Sequence, residues 1–211
     1  VANVDGSKRK RLTKQHNGLE YSPAWSPDGK QIAFTTWSDK ARGRIAVVNS
    51  KGGKPKFLKV AKGHYFSPAW SSDGSQLVYR RGGGSWIRGT DHASDTGIYT
   101  IKAKGGEPKL VSKSGSEPRF TSGNSRILLL GREKGNRALY SIDLNGQDRR
   151  VLATSKYANR IILSPNEDWV LFDYRFHVFA APFSKIGKAI NLGPKTDSVP
   201  VKQLTAGSGF E

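Results

Sequence analysis

The sequence predicts an all-β fold of four-stranded antiparallel units, and three observations carry that prediction. The phrase SPAWSPDGKQIAF at residues 22–34 returns as SPAWSSDGSQLVY at residues 67–79, with its apolar positions kept in type. Aligned on Trp25 and Trp70, two worn copies follow with Phe120 and Leu163 in the tryptophan slot, at intervals of 45, 50 and 43 residues. Those periods are too long for ankyrin or leucine-rich repeats and suit one four-stranded blade of a β-propeller. No segment of ordinary helix length carries a 3.6-residue apolar period.

Each unit reads in the same order. In the first, YSPAWS is a short strand and SPDG a tight turn. Pro27 presets the backbone at the second turn position, Asp28 bonds nearby amides, and Gly29 takes the left-handed conformation that closes the hairpin. KQIAFTTW then alternates, with Ile32 and Phe34 on one face. RIAVVNS is a third strand, KGGK a turn and PKFLKV a fourth strand. The second unit repeats the plan around Trp70, Asp73 and Gly74, with QLVYR, GIYTIKA, KGGE and PKLVS. The third runs RILLLG, RALYSIDL, NGQD and RRVLAT, where Asn145-Gly146 is a strong hairpin signal. In the fourth, WVLFDYR and HVFAAPFS are clear, KAINLG is the next candidate strand, and residues 183–204 read as an extended connection toward a further blade.

The units divide the chain into residues 1–14 (the end of a blade), 15–62, 63–113, 114–155 and 156–207, with 208–211 starting another blade. The expectation is therefore about four and a half blades and an incomplete ring, completed by residues outside this sequence or by a second copy. The chain begins at Val1 without a methionine, which fits a piece of a longer protein. A bulky aromatic once per blade fills the wedge between stacked neighbours, the role expected of Trp25, Trp70 and Phe120.

Composition narrows the function classes. The 211 residues contain no Cys, which excludes disulfides, thiolate metal sites and a cysteine nucleophile. No window approaches the ~18 apolar residues of a membrane helix. The net charge of +18 suits an acidic partner, an acidic polysaccharide or nucleic acid, although Lys and Arg are spread through nearly every segment as strand-edge and turn charge. No Gly-x-Ser-x-Gly elbow, His-x-His pair, His-Glu-x-x-His helix or Walker loop occurs. The four histidines, His16, His64, His92 and His177, are scattered, and His16 and His64 share one repeat phase as loop or cap residues. No catalytic residue, metal ligand or cofactor is expected.

The irregular segment is residues 80–96, RRGGGSWIRGTDHASDT, inserted between the second and third strands of the second unit. Long loops on rigid scaffolds often carry function. Arg80, Arg81 and Arg88 offer anion-binding forks, Trp86 a ring, and Asp91, His92 and Asp95 acid, base or metal-binding groups. These are the candidate contact residues for a ligand or partner. The alternative is a Gly-rich loop with Trp86 tucked against a blade. By repeat phase, Asp39, Lys40 and Arg42 share that rim.

The phrase PAWSPDGKQIAF…IAVVNSKGGKPKFL resembles the TolB-type propeller repeat, a relative of the WD repeat. The resemblance covers essentially the whole chain. It is specific for the repeat and not for activity. More narrowly, residues 79–120 and 176–211 resemble the propeller half of exported bacterial proteins in which a TolB-like propeller precedes a metal-dependent amidohydrolase domain. That resemblance implies a periplasmic or secreted, non-catalytic module whose partner is the rest of the same protein, an attached catalytic domain or another protein. The hydrolase's metal-binding motifs have no counterpart among these residues. The second reading is a basic propeller that binds a polyanion.

Overall fold

The computed structural model describes residues 1–14, 18–83, 95–184, 188–196 and 199–205. Its strands form four sheets. The first blade holds β1 (Leu19–Trp25), β2 (Gln31–Trp37), β3 (Arg44–Asn49) and β4 (Lys56–Phe57), in that order. The second holds β5 (His64–Trp70), β6 (Gln76–Gly82), β7 (Gly97–Lys102) and β8 (Lys109–Ser112). The third holds β9 (Ser116–Phe120), β10 (Arg126–Glu133), β11 (Asn136–Asp143) and β12 (Arg150–Ser155). The fourth holds β13 (Ile161–Leu163), β14 (Trp169–Tyr174) and β15 (His177–Pro182), with β17 (Lys202–Gln203) at its edge. Neighbours within each blade run antiparallel. The fold is all-β, a β-propeller of four-stranded blades, and no helix occurs among the described residues.

One strand departs from the sequence reading. β16 (Ile190–Asn191), expected as the fourth strand of its own blade, pairs in parallel with β12 of the third blade. The outer edge of β12 offers unpaired backbone groups. Leu192 N–H donates to Thr154 O at 2.7 Å, and Ile190 and Leu192 enter the buried cluster with Leu139, Ala153, Phe172 and Phe179. The fourth strand of the last blade is instead β17, twelve residues further on.

Residues 1–14, expected as the end of a blade, hold no strand. They do repeat a turn. Asn3 N–H donates to Ser7 O at 2.9 Å and Gly6 N–H to Asn3 O at 2.9 Å; Asp143 to Gln147 and Gly146 to Asp143 make the same pair of bonds at 2.9 and 3.0 Å between β11 and β12. Beyond the turn the two sides are joined at the Val1–Lys10 pair, by Lys10 N–H to Val1 O at 2.7 Å and the Val1 ammonium to Lys10 O at 2.8 Å, and no strand forms on either side. Residues 208–211 lie outside the described residues.

By contact density the chain splits into two compact units. The first carries the first and second blades, and buries Ala33, Ile45, Tyr65, Leu77 and Tyr79 between them. The second carries the fourth blade and the third apart from Glu117–Arg119 of β9, which group with the first unit, around Leu130, Leu139, Leu163, Val170 and Phe172. Fully burying an aliphatic or aromatic side chain of this kind contributes about 1.5–3 kcal/mol.

The repeat recurs as geometry. Ser22, Ser67 and Glu117, each just before a proline, have φ of 51°, 49° and 49°. In the first two blades this coincides with a register shift on the innermost strand. Trp70 sits in the wedge between the first two blades and donates its indole N–H to Ala24 O at 3.0 Å. Phe120 is 9% exposed. Trp25, expected in the same packing role, is instead 53% exposed and flanks a groove with Leu12, Ile32 and Phe34. Val1 and residues 10–13 line that groove from beyond the blade and leave the indole half open.

Candidate contact rim of the first unit

One end of the first unit gathers aromatic rings and guanidinium groups. It is assembled by two glycines. Gly43, in the loop from β2 to β3, forms an isolated bridge with Gly63, just before β5. A Cβ on Gly43 would lie 2.0 Å from Gly63 O and 3.3 Å from Trp37. Real Cβ atoms do not approach that closely, so the approach requires glycine. It brings the end of β2 against the start of β5.

The rings follow from that approach. Trp37 meets His64 edge-on, with centroids 3.8 Å apart at 68°. His64 and Phe66 are two residues apart on β5, on one face of the strand, with centroids at 6.0 Å. Tyr21 lies 6.3 Å from Phe66. Three arginines lie over rings: Arg42 at 6.0 Å from Trp37, Arg80 at 5.8 Å from Phe66, and Arg44 at 4.2 Å from Phe57. Arg80 stands directly opposite Phe66 in the β5–β6 register. Such cation–π contacts contribute about 0.5–1 kcal/mol at exposed sites.

The sequence-derived site residues fall into two groups. Arg80 is exposed on this rim. Arg81 is turned inward: its side chain is 15% exposed, Nη1 lies 3.6 Å from Asp95 Oδ2, and Nη2 donates to Lys62 O at 3.5 Å. Asp95 has a φ of 59°, and its carbonyl accepts from the Tyr99 hydroxyl at 2.7 Å. Trp86, Arg88, Asp91 and His92 lie outside the described residues, as does His16. Next to Arg81, Tyr65 meets Tyr79 edge-on with centroids 5.5 Å apart at 71°, and Tyr79 stacks on Tyr99 with centroids 5.9 Å apart at 12°. Burial pushes the Tyr65 and Tyr79 phenols above their ordinary value.

Arg42, placed on this rim by repeat phase, reaches it through Trp37. Trp37, His64, Phe66 and the Gly43–Gly63 approach were not singled out for it. His64 read as a cap residue, and nothing local in the sequence marks two glycines some twenty positions apart as touching. Chemically the rim offers forked donors for carboxylates and ring faces for planar or C–H surfaces. Among the described residues no three His, Cys, Asp or Glu side chains converge as a metal site.

A family model described as the TolB beta propeller domain matches residues 1–178. No curated protein matches the chain. Among solved structures, a TolB-type protein from Agrobacterium tumefaciens superposes with a TM-score of 0.68 at 17% identity, over 96% of this chain and 71% of that one. Oligogalacturonate lyase from Vibrio parahaemolyticus gives 0.62 at 10%, over 91% and 55%. The tricorn protease gives 0.62 at 11%, over 86% and 23%, so the chain spans about half of the lyase and a quarter of the protease. At these identities the likeness concerns the fold.

Proposed function

Since the chain belongs to the TolB β-propeller family, we propose that it is a non-catalytic scaffold and interaction module. In this reading it is the propeller part of a larger exported hydrolase, of amidohydrolase or peptidase type, acting in the periplasm or outside the cell. It docks a partner or governs substrate access. The observation that supports docking is the rim: Arg42 and Arg80 are exposed and backed by Trp37 and Phe66. Aromatic and arginine side chains together are what interface centres favour. Propeller domains also occur in multidomain enzymes such as the tricorn protease, which this chain resembles in fold.

The test is retention of exported proteins from the source cells on the immobilised chain at physiological salt. The docking reading expects a discrete partner that is lost with Trp37→Ala plus Arg80→Ala and kept with Lys30→Ala plus Lys51→Ala. A partner lost equally with both pairs, or none retained, overturns it. The second reading, a polyanion binder, rests on the net charge of +18. It predicts retention of polygalacturonate that falls steeply with salt and weakens with either pair, as a diffuse electrostatic term does.

A further inference from the structure

The four blades supply an internal standard, because each makes the same turn between its first two strands. The fourth-residue N–H bonds the first-residue carbonyl in all four: Gly29 to Ser26, Gly74 to Ser71, Asn124 to Thr121 and Glu167 to Ser164, at 2.9, 2.9, 2.9 and 3.0 Å. That fourth residue is left-handed each time, with φ of 68°, 70°, 56° and 62°. Where the turns differ chemically, packing of the repeat does not require the difference.

The second unit differs at three places. The turn carboxylates Asp28 and Asp73 of the first two blades become Gly123 and Asn166. A Cβ at Gly123 would meet nothing within 4 Å. The wedge tryptophan, Trp70 between the first two blades, becomes Leu163 between the third and fourth. The left-handed glycine becomes Glu167, a residue that pays for that conformation in strain. Glu167 is 5% exposed, and its Oε1 accepts the Ser122 N–H at 2.7 Å from the neighbouring turn.

Together these changes open the wedge. Between the first two blades the corresponding hollow, lined by Asp28, Trp70 and Asp73, measures about 380 Å³. Between the third and fourth it is a cleft of about 500 Å³, within the range of small-molecule sites, about 300–1,000 Å³. Its charge is inverted as well: Arg126, Arg150 and Lys188 line it in place of the two aspartates. Asp148 holds Arg126 and Arg150 side by side. Arg126 is further fixed by Nε to Ser141 Oγ at 2.9 Å. Arg150 is 62% exposed, and its bonds to Asp148 use two of its five N–H donors.

We propose that the cleft between the third and fourth blades is a binding site for a small hydroxylated carboxylate of the sugar-acid class. Arg150 and Lys188 take the carboxylate. The hydroxyls of Ser122, Ser125 and Ser184 and the Glu167 carboxylate bond the ligand hydroxyls. Leu163, Val151 and Phe183 form an apolar floor for the C–H face of a ring. The site is independent of the docking rim, since every lining residue belongs to the second unit.

The test is calorimetric titration of the full chain with sodium glucuronate, glucose and inorganic phosphate. Glucuronate is expected to bind saturably and at least about tenfold more tightly than either of the others. Gly123→Asp restores the repeat residue and its negative charge, and Arg150→Ala removes an exposed cation. Each is expected to weaken glucuronate at least about tenfold while the far-UV spectrum is unchanged. Should Gly123→Asp fail to fold, Arg150→Ala alone decides. No saturable binding at about 10 mM glucuronate, or equal binding of glucose, or variants that bind like the parent, overturns the site. Phosphate binding as tightly as glucuronate reduces it to a general anion site and overturns the sugar-acid assignment.

Discussion

Replacing Gly43 by alanine places one methyl group where the structure has a backbone carbonyl. The added Cβ would sit 2.0 Å from Gly63 O, so the two segments must separate by about 1 Å to reach the closest real contacts. That separation breaks the Gly63 N–H to Gly43 O bond, now 3.4 Å, whose loss costs about 0.5–1.5 kcal/mol. It also parts Trp37 from His64, an aromatic contact worth about 0.5–1.5 kcal/mol. Against this, alanine reduces unfolded-chain entropy and returns about 0.4–1 kcal/mol, because Gly43 does not have positive φ. The net expectation is a loss of about 1–2 kcal/mol. Gly123→Ala is the matched control: its Cβ meets nothing, so only the stabilising term of about 0.4–1 kcal/mol remains. Urea unfolding followed by far-UV dichroism measures both. With a slope of about 2 kcal/mol/M, Gly43→Ala lowers the midpoint by about 0.5–1 M at constant slope, and Gly123→Ala raises it slightly. Equal midpoints for the two variants would refute the close-approach argument and, with it, the account of how the rim is assembled.

Three further outcomes are expected. Trp70→Phe removes the indole bond to Ala24 and costs about 1 kcal/mol, whereas Trp25→Phe, at a half-exposed ring, stays within about 0.5 kcal/mol of the parent in the same assay. The Ser26 and Ser71 hydroxyls hold the Asp28 and Asp73 carboxyls below the usual range. A lowered folded value means that their contribution is present above the unfolded value of about 3.9 and is lost as pH falls through the folded one. The melting temperature should therefore drop below about pH 4, and less steeply in Asp28→Asn plus Asp73→Asn. Glu167→Gly relieves about 1 kcal/mol of left-handed strain but deletes a charge-assisted bond worth about 1.5–3 kcal/mol, so it destabilises by about 1 kcal/mol; a more stable variant in urea would show that the Ser122 contact contributes nothing.

Much of the blade plan was legible because it is written locally. Ser26 to Gly29 and Ser71 to Gly74 carry their turn chemistry in four consecutive residues, and strands such as β2 and β10 carry contiguous apolar segments. The candidate site was legible only in part. Arg80 was marked by the inserted segment 80–96 and Arg42 by repeat phase, but Arg81 looks identical to Arg80 in sequence and is committed to Asp95 and Lys62. Alternation across β6 puts them on opposite faces, and only the neighbouring segments determine which face is covered.

The sequence by itself determined the period, the turns and the all-β class, since these depend on backbone preferences within a few residues. The tertiary structure decided which edges pair and which faces meet. It sent Ile190–Asn191 to β12 rather than to its own blade. It left Trp25 half exposed while its repeat partner Trp70 is bonded to Ala24. It opened the wedge at Leu163 and Gly123 into a cationic cleft. Each outcome depends on which distant backbone carbonyl or side chain arrives opposite, and residues dozens of positions apart in the chain do not specify that meeting until the blades pack.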